Sequence, residues 1–307
     1  MAAAKGQFPG EAGEDGNFER QEDAFRELIT SDGSTPYAPA RGRYHLYVSL
    51  ACPWAHRALI VRKLKGLEVV VSASVVDPVR DERGWAFREG PGHGPDPVNG
   101  FAFLREAYTA SDPAFSGRVT VPALWDRGTR RLVNNSEDDI CRLFNGVLAP
   151  LGEGGPDLFP PDIAGEQEAL SQEIYENVNN GVYRAGFATT QSAYERAVRT
   201  LFDTLDRLEE RLGDRRYLFG ERIVETDWRL FCTLVRFDAV YHGHFKCNLR
   251  RIVDYPQLQR YLRQLYHLPG IAEDVNFDHI KRHYYVTHEE INPTGIVPLG
   301  PVLDLSP

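Results

Sequence analysis

The stretch YHLYVSLACPWAHR, residues 44–57, decides the fold of the N-terminal half of this 307-residue chain. Apolar side chains alternate with other side chains from Tyr44 to Leu50, which is the period of a β-strand. Cys52 and Pro53 follow, and apolar residues then recur at helical spacing. Proline is tolerated in a first helical turn because no N–H is needed there. The stretch therefore predicts a strand, a turn and a helix, with Cys52 at the amino end of the helix.

The segments that follow complete a β-α-β, β-β-α pattern. Residues 69–76 predict a second strand, and residues 77–117 form an insertion with a short helix around residues 103–108. This insertion is longer than most loops, which favours a functional role. Two short apolar runs, 123–125 and 132–133, flank an Asp-Arg-Gly turn and predict a hairpin, and residues 136–145 resume helical spacing.

The second half of the chain has the pattern of an all-helical domain. Two apolar stripes at helical spacing run through residues 198–212 and 258–265 and stop at Gly213 and at Pro269. A segment rich in Gly and Pro, residues 150–161, predicts the boundary between the halves. We therefore expect three parts: a polar N-terminal extension (1–40), an α/β domain (41–150), and a helical domain with a tail (160–307).

Composition limits the function classes. Hydrophobic residues make up 42% of the chain and charged residues 26%, as in globular proteins, and the formal net charge of −9 disfavours a nucleic-acid partner. No apolar run approaches the roughly 20 residues of a membrane span, and the N-terminus lacks a hydrophobic signal core. Four scattered cysteines are too few for a disulfide framework. The sequence therefore predicts a cytoplasmic protein with reduced thiols and small-molecule substrates.

Cys52 is the candidate nucleophile. A helix amino terminus carries partial positive charge, which favours a thiolate and depresses the pKa of a cysteine placed there. Residue 55 is Ala, so the motif holds no resolving cysteine and monothiol exchange with a small thiol is expected. The alternative is a small buried hydrophobe, which we expect for the other three cysteines, Cys141, Cys232 and Cys247.

Two further motifs could contact a ligand. Pro122 enters the strand predicted at residue 123, and a cis peptide there would expose the backbone of Val121 to an extended ligand; the alternative is an ordinary edge-strand proline. The helix at residue 136 begins with Ser136 and Glu137. Its first N–H groups could bind a ligand carboxylate, or Ser136 could simply cap the helix.

These motifs together resemble the Xi class of glutathione transferases, the glutathionyl-hydroquinone reductases. The resemblance runs in order from about residue 40 to 300, and it is carried by residues 44–57, 117–122, 179–183, 234–238, 275–280 and 291–296. It implies a thioredoxin-like N-terminal domain, a helical C-terminal domain of the glutathione-transferase type, and usually a homodimer.

The resemblance also implies a reaction and the residues that perform it. The Cys52 thiolate attacks the sulfur of a glutathionyl-hydroquinone, releases the hydroquinone, and leaves a mixed disulfide that a second thiol resolves. By position, Tyr183 and Tyr284 lie over the quinol site, where their hydroxyls could donate a hydrogen bond or a proton to the hydroquinone. The residues implied for thiol binding are Trp85, Arg118, Val121, Pro122, Ser136 and Glu137.

One departure from the family concerns the choice of thiol. Relatives usually have Glu-Ser where this chain has Ser136-Glu137, and Asp138 and Asp139 follow. Extra negative charge disfavours a carboxylate ligand. The co-substrate is therefore either glutathione or another low-molecular-weight thiol such as mycothiol. A general transferase or disulfide reductase with a non-glutathione thiol, and a non-catalytic scaffold, remain alternatives.

A second departure from the family lies at Val224, and four histidines could suggest a metal site. Val224 precedes a predicted helix where relatives have a Thr or Ser cap, which should lower helix stability by roughly 1 kcal/mol. His279 and His283 are four residues apart, and His242 and His244 lie upstream. A third ligand at suitable spacing is missing, so no metal is predicted.

Overall fold

The computed structural model describes residues 11, 13 and 16–306 of the chain. Residue contacts divide the described residues into two compact units: Glu22–Leu158, and residues 159–306 together with the described residues up to Gln21. Of the predicted N-terminal extension, residues 1–10, 12, 14 and 15 lie outside the described residues. Residues 22–40 belong to the first unit, where the backbone of Glu27 donates to Val133 O at 3.0 Å.

The first unit is built on a four-stranded sheet with strands β1 (Tyr44–Val48), β2 (Val71–Val75), β3 (Ala123–Asp126) and β4 (Arg131–Asn134), in the order β2-β1-β3-β4. Strand β2 runs parallel to β1, whereas β3 is antiparallel to both β1 and β4. This is the mixed sheet of the thioredoxin-like fold that the β-α-β, β-β-α pattern predicts.

Strand β1 is central and is buried along its whole length, although its alternating pattern is typical of a half-buried strand. The insertion between β2 and β3 covers the second face. Tyr47 donates its hydroxyl to Asp96 at 3.2 Å, and its ring lies 5.2 Å from that of Phe87. His45 lies between Ser72 and Ser74, and burial lowers the pKa of His45 to about 4.

Three helices belong to this unit: α1 (Pro53–Leu64), α2 (Arg105–Ser111) and α3 (Glu137–Asn145). The predicted hairpin and the helix within the insertion are therefore confirmed. Two of the predicted strands are longer than the observed ones. The first ends at Val48, where the chain turns, and the second begins at Val71, after Val69, which is 69% exposed.

The second unit is helical, as predicted. The stripe through residues 198–212 is buried on the long helix α6, and the stripe through residues 258–265 is buried on α8. Among the described residues no helix combines the length and the apolar character that a membrane crossing requires. The helices are α4 (Ala164–Ile174), α5 (Gly181–Gly186), α6 (Gln191–Arg211), α7 (Glu225–Arg236), α8 (Pro256–Tyr266) and α9 (Phe277–Thr287).

Helix α7 begins without a capping hydroxyl, since Val224 occupies the N-cap. Asp227 provides the other half of a capping box: its carboxylate accepts from the backbone N–H of Val224 at 2.9 Å. The same carboxylate accepts from the Tyr261 hydroxyl at 3.0 Å. The missing hydroxyl is therefore only partly replaced.

Candidate active site

Cys52 occupies the N-cap position of α1, immediately after the turn that ends β1. Its backbone has extended dihedral angles, with φ −76° and ψ 122°, and Pro53 begins the helix. The backbone N–H of Cys52 donates to Ser49 O at 3.1 Å, and the Cys52 carbonyl accepts from His56 N at 3.0 Å. The sulfur is thereby held at the positive end of the helix dipole, where a thiolate is stabilised.

Exposure distinguishes Cys52 from the other cysteines, all four of which are described. Cys52 is partly exposed, whereas Cys141, Cys232 and Cys247 are buried. No disulfide joins any of the four. Burial also raises the pKa of the Cys247 thiol far above its ordinary value. The predicted contrast between one accessible sulfur and three buried ones is confirmed.

The loop before β3 contacts the sulfur. The protonated Cys52 Sγ donates to the carbonyl oxygen of Val121 at 3.4 Å, and the peptide bond between Val121 and Pro122 is cis, which is one of the two alternatives left open by the sequence. Val121 and Pro122 are buried, and Arg118 in the same loop is half-buried. The structure thus brings Cys52 and Val121 together.

Helix α3 begins at the predicted position, with Ser136 as N-cap and Glu137 as first residue. The Ser136 side chain makes no capping hydrogen bond, so the simple capping interpretation is wrong. Instead Asn134 shapes the turn, because its side-chain oxygen accepts from Ser136 N at 2.7 Å. The first intrahelical bond of the helix runs from Ile140 N to Ser136 O. As in any helix, the earlier N–H groups have no intrahelical acceptor, and such groups favour anions.

The acidic residues of this first turn are compensated by arginines. Arg57 contacts Glu137 at 3.3 Å and Asp138 at 2.5 Å, and Arg26 contacts Asp139 at 2.7 Å. Two of the three negative charges are therefore compensated, and one net negative charge remains on this turn. This weakens the electrostatic argument against a carboxylate ligand at α3.

Trp85 lies in the insertion between β2 and α2 and is buried. Its carbonyl accepts from Leu104 N at 2.9 Å, and the Arg80 guanidinium lies 5.3 Å from the centre of its ring. The insertion thus holds the indole in place through backbone pairing and a cation–π contact. Its role in thiol binding stays a prediction.

In the helical unit, Tyr183 and Tyr284 lie side by side, with 2.5 Å between their hydroxyl oxygens. Tyr284 also hydrogen-bonds the hydroxyl of Tyr241 at 2.9 Å, so three phenols form one chain. Tyr183 is half-buried and the other two are buried. Burial raises the pKa of Tyr284 and of Tyr241 well above the ordinary value, so both hydroxyls stay protonated at neutral pH.

Sequence reasoning missed two of these residues, Tyr241 and Arg57. Tyr241 falls at the end of a π-helical turn after α7, where the 3.6-residue period no longer predicts its direction. Arg57 belongs to the stretch quoted first, but charged helix residues are usually solvated, so no role was assigned to it. A long-range ion pair has no signal in a single sequence.

The histidines considered as metal ligands in the sequence do not form a metal site among the described residues. Among residues 16–306, with residues 11 and 13, no group of three or more His, Cys, Asp or Glu side chains could hold a metal ion. His244 and His288 instead hydrogen-bond each other at 3.1 Å within an aromatic cluster.

Comparison with known proteins identifies relatives over nearly the whole chain. Residues 51–145 match the family model for the glutathione S-transferase N-terminal domain, and residues 191–264 match that for the C-terminal domain. The glutathionyl-hydroquinone reductase YqjG of Escherichia coli is 50% identical over 297 residues, which cover 94% of this chain and 90% of that protein.

Two solved structures are also similar. The glutathione-bound structure of YqjG from Escherichia coli superposes with a TM-score of 0.89 at 51% identity, covering 92% of this chain and 94% of that one. The Xi glutathione transferase of Phanerochaete chrysosporium gives a TM-score of 0.93 at 46% identity, with 96% of each chain covered. The thioredoxin-like domain and the helical domain predicted from the sequence are confirmed by these matches.

Proposed function

Because this chain belongs to the Xi class of glutathione transferases, the glutathionyl-hydroquinone reductases, we propose that it removes glutathione from glutathionyl-hydroquinones through a mixed disulfide on Cys52. The position of the Cys52 sulfur carries this proposal, because the sulfur is partly exposed and lies at the amino end of α1. Relatives named for this reaction and a glutathione-bound relative support glutathione as the thiol.

The reaction balances without a metal or a further oxidant. The Cys52 thiolate attacks the sulfur of the aryl thioether, an S–S bond forms, and the aryl C–S bond breaks. The electron pair of that bond stays on the aryl carbon, which takes up a proton, so the ring is reduced to the hydroquinone. A second glutathione thiolate then attacks the mixed disulfide, which releases glutathione disulfide and regenerates the Cys52 thiolate.

The remaining site residues keep the roles that the family resemblance gives them. Trp85, Arg118, Pro122 and the Val121 backbone would bind the thiol, and Ser136 and Glu137 would bind its γ-glutamyl end. Tyr183 and Tyr284 would donate hydrogen bonds to the hydroquinone oxygens. The hydroxyl of a tyrosine is protonated at neutral pH, as a hydrogen-bond donor must be. We further propose two domains, residues 41–150 and 160–307, and a cytoplasmic homodimer. Light scattering of the protein in solution would measure the mass of the assembly.

Steady-state turnover of a glutathionyl-hydroquinone tests the proposal. Cys52→Ala should abolish hydroquinone release, because no other described cysteine combines exposure with a helix amino terminus. Cys141→Ala is the matched control and should retain activity within about twofold, since that thiol is buried. A Cys52→Ala protein that turns over at the wild-type rate would refute the mechanism. Replacing glutathione by mycothiol in the same assay tests the alternative thiol.

A further inference from the structure

The Arg57 guanidinium is a buried charge that links the helix of the nucleophile to helix α3. Arg57 lies on α1 five residues after Cys52, and its side chain is only 3% exposed. It contacts the carboxylate of Glu137 at 3.3 Å and that of Asp138 at 2.5 Å. A charge is rarely buried to this degree without a specific set of partners.

The ion pairs with arginine set the net charge of the first turn of α3. Three consecutive acids, residues 137–139, begin the helix. Arg57 and Arg26 together compensate two of these charges and leave a single net negative charge. The γ-glutamyl end of glutathione carries one ammonium and one carboxylate. One net negative charge beside helix N–H groups suits this zwitterion, whereas three would repel its carboxylate.

We propose that Arg57 is a positioning and specificity residue for the thiol substrate, an inference that rests on the proposed function. Arg57 holds the Glu137 carboxylate in place and neutralises Asp138, so that the α3 terminus accepts a zwitterionic amino-acid end. Since Arg57 and Cys52 share one helix, the ion pair also fixes the terminus relative to the sulfur. This pairing makes the Ser136-Glu137 order compatible with glutathione and disfavours thiols that lack the amino-acid end.

Calorimetric titration with S-methylglutathione, in which the sulfur is blocked, tests binding apart from chemistry. Arg57→Met should weaken binding at least about tenfold, because two carboxylates lose their counter-charge. Arg43→Met is the matched control: Arg43 makes a comparable ion pair with buried Asp126, at 2.7 Å, at the start of β1. Since Cys52 follows the opposite end of that strand, the control should bind within about twofold of wild type.

Asp138→Asn keeps the proposal falsifiable where Arg57→Met fails to fold, because Asp138 is 45% exposed and tolerates the change. With Arg57 intact, removal of this acid should leave S-methylglutathione binding unchanged or strengthen it up to about fivefold. In the double variant Arg57→Met with Asp138→Asn, the net charge of the turn returns to that of the wild type but Glu137 still lacks Arg57, so binding should recover only in part. Wild-type affinity in Arg57→Met, or a tenfold loss in Asp138→Asn, overturns the proposal. Absence of binding by the wild-type protein would instead contradict glutathione as the thiol.

Discussion

The three-tyrosine chain makes a quantitative prediction for Tyr284→Phe. The substitution keeps the ring and removes one hydroxyl that hydrogen-bonds both Tyr183 and Tyr241. Each lost hydrogen bond lowers stability by about 1 kcal/mol, and a buried hydroxyl left unsatisfied costs about 1–3 kcal/mol more. Tyr241 is fully buried and its hydroxyl is left with the Tyr183 hydroxyl as its neighbour, whereas Tyr183 is half-buried and water can replace its partner. We expect a loss of about 2–4 kcal/mol in the free energy of unfolding.

Tyr183→Phe is the matched control for this prediction. It removes the hydroxyl at the more exposed end of the chain, where water can replace it, so its loss should be at most about 1 kcal/mol. Urea unfolding followed by intrinsic fluorescence measures both variants against wild type. The reasoning is refuted if Tyr284→Phe stays within about 0.5 kcal/mol of wild type, or if Tyr183→Phe proves the more destabilising.

Two further stability predictions concern the helical unit. Burial, assisted by Lys246, lowers the pKa of His244 to about 4, so its neutral form stabilises the fold above pH 6.5 and this contribution is lost as the pH falls towards 4. His244→Gln should therefore flatten the decline of the urea midpoint between pH 6.5 and 4, and an unchanged slope would contradict the assignment. Val224→Thr supplies the missing cap of α7 and should raise the free energy of unfolding by about 1 kcal/mol, measured in urea at neutral pH; a loss of stability would show that the buried hydroxyl finds no partner.

The local elements of the thioredoxin-like domain could be predicted from the sequence because each has a short-range signal. The period-two pattern before Cys52, the proline after it and the turn at residues 126–128 all act within a few residues. The limits of the strands could not be predicted to the residue. The chain turns at Ser49, although Leu50 continues the alternation.

The electrostatics of the site could not be predicted, because they depend on pairs far apart in the sequence. Arg57 and Asp138 are 81 residues apart, and Arg26 and Asp139 are 113 apart. The sequence alone therefore predicted repulsion at α3, where the fold provides compensation. The Tyr183–Tyr284 contact joins residues separated by 101 positions, and only the family resemblance indicated it.

Mass spectrometry of a single turnover tests the central claim most directly. The protein is mixed with one equivalent of a glutathionyl-hydroquinone in the absence of other thiols, quenched with acid and digested. The account predicts one equivalent of released hydroquinone and one glutathionyl group, located on the peptide that contains Cys52. Hydroquinone release without a protein adduct, or an adduct on Cys141, Cys232 or Cys247 instead, would contradict it.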